Sequence, residues 1–254
     1  MSPVDIFLWG AVPYISFAIL VVATIIRRVY FPETWTSKSS QFMEKKEQRV
    51  GIPLFHIAVL FLIFGHIGGL LVPKVLTMAL GIPNHLYHMM ALTIGGATGV
   101  ALIIAFLILA KRRFAGTKRM KATTSIMDKV LYVVMAVTIL FGMLATFSNV
   151  DGSFDYRDSL SIWFRSLFLL QPQVALMASA PILYKIHLLC GMFTFAIWPF
   201  TRLVHVFSGI TAPFCYIGRA AIVYRRRKID EKALAGERAL EFPEGVKPQG
   251  ETLR

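Results

Sequence analysis

Five stretches of this chain are apolar for long enough to cross a bilayer: residues 4–26, 51–72, 89–110, 126–147 and 182–207. Within each, hydrophobic residues run round the whole helix instead of marking one face, which is the pattern of a helix surrounded by lipid. The polar stretches between them alternate in character. Residues 27–50, 111–121 and 219–228 are rich in Arg and Lys, whereas residues 148–181 carry Asp151, Asp155 and Asp158 with only Arg157 and Arg165. Basic connections stay on the cytoplasmic side. The pattern therefore predicts an all-α membrane protein of five transmembrane helices, N-terminus outside and C-terminus cytoplasmic. Residues 1–218 form the membrane domain. Residues 219–254, ending ALEFPEGVKPQGETLR, form a basic, partly flexible cytoplasmic tail.

Local signals refine the spans. The first run lacks a basic leader region and a small-residue cleavage site, so it reads as a retained helix. Pro13 is expected to kink it, and Arg27 and Arg28 stop it. Pro73 ends the second span, and residues 74–88 read as a short outer connection. Pro199 should kink the fifth. The apolar patch at residues 162–170 is expected to lie on the membrane surface.

Composition adds little to the fold but excludes classes of function. The chain has 254 residues, 56% of them hydrophobic, and a formal net charge of +13; its mean hydropathy is +0.63. The positive charge sits in alternate connections, so membrane lipid, not nucleic acid, is its partner. Cys190 and Cys215 stand in or beside the last apolar stretch and make no disulfide framework. The absence of a C-x-x-C-H motif rules out covalent c-type haem attachment.

The chemistry lies in the histidines. His56 and His66 are the ionisable residues of the apolar run FHIAVLFLIFGHIGG, and His187 and His205 stand in the last span. An imidazole at that depth has to be compensated, and it marks a functional site by default. Two antiparallel helices bring His56 to the level of His205 and His66 to the level of His187. Two bis-imidazole sites at different depths suit two b-type haems, because such ligation leaves no open iron position for a substrate. The geometry carries a tension. On one straight helix, residues 187 and 205 share a face about 27 Å apart, while residues 56 and 66 are about 15 Å apart and roughly 80° off each other. Tilt and the Pro199 kink have to absorb the difference. Gly65 and Gly69 would let a flat macrocycle approach, and Gly95 and Gly99 form a small-x-x-x-small packing pair. Arg202, Arg112 and Arg113 are placed to meet haem propionates at the basic end. A proton-relay transporter is the competing class, although no inverted repeat supports it.

Together the motifs LFHI (54–57), GH (65–66), GGATGV (95–100), KRR (111–113), HLLCGM (187–192) and PFTRLVH (199–205) resemble the gamma subunit of respiratory nitrate reductase, a membrane diheme cytochrome b. The resemblance covers roughly residues 12–208. It implies that His66 and His187 ligate the outer haem and His56 and His205 the inner one. It implies quinol oxidation (menaquinol or ubiquinol) near the outer haem. Electrons would then pass to an iron–sulfur beta subunit and a molybdenum-cofactor alpha subunit that reduces nitrate to nitrite. The location implied is the cytoplasmic membrane. Some family members carry lysines in the connection before the third span. Here that stretch reads NHLYHMM, so His85, Tyr87 or His88 would take their place at the quinol. Cytochromes of sulfite-reductase- or heterodisulfide-reductase-like complexes share the histidine frame and stand as the nearer alternative.

Overall fold

The computed structural model describes residues 2–35 and 48–207, and among these every regular element is helical. The tail from residue 219, Cys215 and the lysines at 38, 45 and 46 lie outside the described residues. Five helices are long and apolar enough to cross a membrane: α1 (Pro3–Tyr30), α2 (Arg49–Leu71), α3 (Asn84–Ala115), α4 (Ile126–Ser148) and α5 (Ile182–Phe200). They belong to one compact unit, Met1–His205. Large apolar side chains such as Phe17, Phe64, Leu107 and Val133 are each about 60% exposed or more. That is the inverse of a soluble bundle and suits contact with hydrocarbon. Backbone packing is closest for α2 with α3, α3 with α4, α4 with α5 and α5 with α1. The two histidine-bearing helices, α2 and α5, are not a close-packed pair.

Helix ends follow local chemistry. Ser125 opens α4 with a capping box: its hydroxyl accepts from the Asp128 N–H, and the Asp128 carboxylate accepts from the Ser125 N–H. Pro83, in extended backbone, starts α3 at Asn84. This corrects the expected connection: His85, Tyr87 and His88 stand in the first turns of a helix, and Lys74–Ala79 is a short helix of its own. At its other end α3 runs on to Ala115, so Arg112 and Arg113 are buried helical residues and not loop residues. The glycines of α3 face two ways. A methyl group at Gly99 would overlap Met143 of α4 and one at Gly96 would touch Phe147, while one at Gly95 would meet nothing within 4 Å. Close helix packing is thus the work of Gly96 and Gly99.

Pro13 does more than bend α1. A proline has no N–H to give the carbonyl four residues back, here that of Trp9. The helix widens into a π turn at Phe7–Ala11, and Trp163 Nε1 donates to the freed Trp9 oxygen at 2.9 Å. Trp163 lies on the amphipathic helix Leu160–Phe168. That helix was expected on the membrane surface; its buried face joins Trp9, Val174, Met177, Ala180 and Met192 in an apolar cluster. Its far end, Phe168, Leu169 and Leu170, stays exposed. Trp163→Ala removes a side chain that is 1% exposed together with its hydrogen bond. A loss of about 3–5 kcal/mol is expected, read as a lowered thermal midpoint in detergent.

The fifth span breaks where a kink was expected. The α-helix ends at Ile197, Trp198–Phe200 form a 3₁₀ turn, Thr201 is extended, and Arg202–Val204 form a second 3₁₀ turn. Arg27 of α1 donates to the carbonyls of Pro199 and Thr201, which a helix end leaves without helical partners. His187 and His205 therefore do not share one helix face.

Candidate site: two histidine pairs and a polar cluster at each end

The break is what levels the two pairs. His66 and His187 place their ring centres 6.1 Å apart, and His56 and His205 place theirs 6.2 Å apart. The axial mismatch of a straight α5 disappears because the chain turns at Thr201 before it reaches His205.

Each ring is held by one nitrogen. Nδ1 lies 2.8 Å from the Ile52 carbonyl in His56, 2.7 Å from Leu62 in His66, 3.0 Å from Thr138 in His187 and 2.7 Å from Arg202 in His205. A carbonyl only accepts, so Nδ1 is the protonated nitrogen and the Nε2 lone pair is left for a ligand in all four rings. An ion bound between two imidazoles at about 2.0 Å from each nitrogen would set the ring centres about 6 Å apart. Both pairs meet that spacing. No cluster of three or more His, Cys, Asp or Glu occurs among the described residues, so an ion held by either pair would take the rest of its coordination from a non-protein group. A porphyrin would supply it. Methyl groups at Gly65 of α2, Gly95 of α3 and Gly191 of α5 would each meet no protein atom within 4 Å, and α2 and α5 stand apart. These residues fit haem. Gly69 does not serve as a cradle: a methyl there would press on the Tyr156 hydroxyl at 2.8 Å.

Gly142 of α4 was not singled out from the sequence. A methyl there would lie 2.8 Å from Cε1 and 3.0 Å from Nδ1 of His187. The notch at Gly142 is what lets His187 reach the Thr138 carbonyl. A lone glycine in an apolar run carries no signal of its own.

The basic end was expected to offer three arginines to propionates. Two of them converge on Asp128. Arg113 Nη2 is 2.9 Å from its Oδ2, while Arg202 Nε donates to Oδ1 at 2.8 Å and Arg202 Nη2 is 2.7 Å from Oδ2. Arg112 is buried at the same end of α3. Among the described residues, Arg112, Arg113 and Arg202 thus stand with Asp128 at one end of the bundle.

The opposite end holds the quinol candidates, and the structure separates them. Tyr87 joins a cluster: the Arg157 guanidinium stacks on its ring at 3.8 Å, and its hydroxyl packs beside Gly68. Arg157 is buried and donates to Thr77 Oγ1 at 2.8 Å. Burial, followed by the nearby Tyr87 hydroxyl, pushes the Tyr156 phenol up, so it stays a neutral donor. Tyr156 also stacks on Tyr184, three residues before His187. His88 Nε2 lies 3.3 Å from the Val150 carbonyl. His85 is exposed on the first turn of α3 and is not drawn into this cluster. Lys74 ties the two connections at this end together, 2.7 Å from Asp155 and 2.6 Å from Asp158. Burial alone would lower its ammonium, but the two hydrogen-bonded carboxylates outweigh that and raise it above the usual lysine value. The sign follows. The contribution of Lys74 is complete at neutral pH and is lost as pH rises through the raised value. Lys74→Met is expected to destabilise the chain at pH 7 and to flatten its loss of stability at strongly alkaline pH, as followed by thermal melts.

Comparison with known proteins gives a consistent family. The profile described as "Nitrate reductase gamma subunit" matches residues 5–227. The chain is 40% identical over 221 residues to the nitrate reductase gamma chain of Bacillus subtilis, covering 87% of this chain and 97% of that one. It is 30% identical over 230 residues to the respiratory nitrate reductase 2 gamma chain of Escherichia coli, covering 88% of this chain and 98% of that one. The nitrate reductase-like protein NarX of Mycobacterium tuberculosis is 41% identical over 223 residues, 87% of this chain but only 34% of that longer protein.

Proposed function

The chain belongs to the nitrate reductase gamma subunit family, and from that premise we propose that it is the membrane cytochrome b subunit of a quinol:nitrate oxidoreductase. Membership sets aside the transporter reading and the sulfite- and heterodisulfide-reductase alternatives. The observation that carries the proposal is the matched pair of imidazole spacings, 6.1 and 6.2 Å, with every Nδ1 committed to a carbonyl.

His66 and His187 would hold the outer haem b, and His56 and His205 the inner one. When bound, the two haems supply one-electron carriers at two depths of the membrane. The remaining roles fall to the chain itself. The basic end, with Arg27, Arg28, Arg112 and Arg113, faces the cytoplasm by the positive-inside rule, which puts the N-terminus outside. Arg112, Arg113 and Arg202 give that end the positive charge to hold propionates. Tyr87, with His88 beside it, sits in the first turns of α3 at the outer end, where menaquinol or ubiquinol would give up two electrons and two protons. Tyr156 and Arg157 give this end protonated donors for a quinone oxygen.

Electrons leave at the basic face to an iron–sulfur subunit and then to a molybdenum-cofactor subunit, where nitrate takes two electrons and two protons to give nitrite and water. Releasing protons outside while electrons move inward charges the cytoplasmic membrane. Each charge moved against the potential stores about 2.3 kcal/mol per 100 mV. The test is to give the purified chain, in lipid vesicles, an excess of a soluble quinol. Reduction of its b-type absorption, reversed by nitrate only when the partner subunits are present, is the expected result. A chain that binds haem but is not reduced by any quinol would overturn the quinol assignment.

A further inference from the structure

We infer that Asp128 is the positioning residue for the inner haem ligand His205, acting through Arg202; the inference rests on the haem reading above. Because α5 ends before Thr201, no continuous helix carries His205. Its place depends on what anchors the short turn Arg202–Val204. The His205 ring donates from Nδ1 to the Arg202 carbonyl at 2.7 Å, and the His205 backbone N–H points to the carbonyls of Arg202 and Leu203. Arg202 is therefore the seat of the ligand.

Arg202 Nε in turn donates to Asp128 Oδ1 at 2.8 Å, and its Nη2 lies 2.7 Å from Oδ2. Asp128 is itself fixed by the Ser125 N–H that caps its own helix, α4, at 3.0 Å and by Arg113 of α3 at 2.9 Å. Its side chain is 4% exposed, and so is that of Arg113. A hydrogen bond between a guanidinium and a carboxylate is charge-assisted and strong, and burial of the carboxylate protects it from screening. Asp128 thus ties α3, α4 and the broken end of α5 into one frame whose output is the direction of the His205 ring. The companion anchors, Arg27 on the Pro199 and Thr201 carbonyls, hold the start of the break and not the ligand turn.

The test uses two single-haem backgrounds, each carrying Asp128→Asn. His66→Ala retains the inner haem alone, and His56→Ala the outer one alone. In the first, D128N is expected to alter the low-spin electron paramagnetic resonance signature of the inner haem. It should also raise the midpoint potential, because removing a carboxylate leaves the arginines less balanced and favours the reduced form. In the second background the outer haem should keep its signature and potential, which also shows that the variant folds. Arg202→Met should perturb the inner signature as D128N does, with no further change in the double variant, and Asp128→Glu should restore it in part. An unchanged inner haem in D128N would overturn the inference, as would equal damage to both haems. Absence of haem from the unsubstituted chain would instead refute the underlying reading.

Discussion

His66→Ala is expected to leave one haem in the purified chain instead of two and to reduce quinol-driven activity to background. Alanine offers no lone pair, and the opposing His187 would be left to hold the group without its partner 6.1 Å away. His187→Ala should do the same. The inner pair gives the contrast. His56→Ala or His205→Ala should also leave one haem, but that haem should still be reduced by quinol while nothing reaches nitrate. Haem assay per polypeptide, followed by quinol reduction and nitrate-linked reoxidation, separates the two outcomes. If all four variants behaved alike, the assignment of one pair to quinol and the other to the partner subunit would fail.

The second large effect comes from a residue that touches no cofactor. Gly142→Ala would put a methyl group 2.8 Å from Cε1 of His187, closer than a ring tolerates. The ring must leave the Thr138 carbonyl, or α4 and α5 must separate. Overpacking of this kind costs about 1–3 kcal/mol, and here it falls on the outer site. Gly142→Ala is expected to weaken the outer haem and Gly142→Val to remove it, with the inner haem retained in both. Difference spectra and haem assay at matched protein concentration provide the measurement. Gly191→Ala is the control on the protein side, since its methyl would meet no protein atom within 4 Å.

Much of this was legible in the chain because it depends on length and composition alone. Five runs of hydrophobic residues predict five spans wherever their neighbours lie, and four imidazoles on two antiparallel spans pair by depth. What was not legible depends on partners distant in sequence. Pro199 announces a disturbance of α5, but whether it kinks or breaks depends on donors for the freed carbonyls, and Arg27 of α1 supplies them. The apolar patch at residues 162–170 reads as a surface helix until Pro13 strips the Trp9 carbonyl of its partner and Trp163 takes it. Arg113 and Arg202 read from the sequence as partners for propionates alone, and nothing there shows that both also meet Asp128 at the start of α4. In each case the sequence held both halves of the interaction and no indication that they meet.

The central claim is that two histidine pairs hold two haems. Its most direct test is the dithionite-reduced minus oxidised absorption spectrum of the purified chain, produced with haem in supply, together with haem counted per polypeptide. Two low-spin b-type haems per chain are the predicted result. A colourless chain would contradict the account.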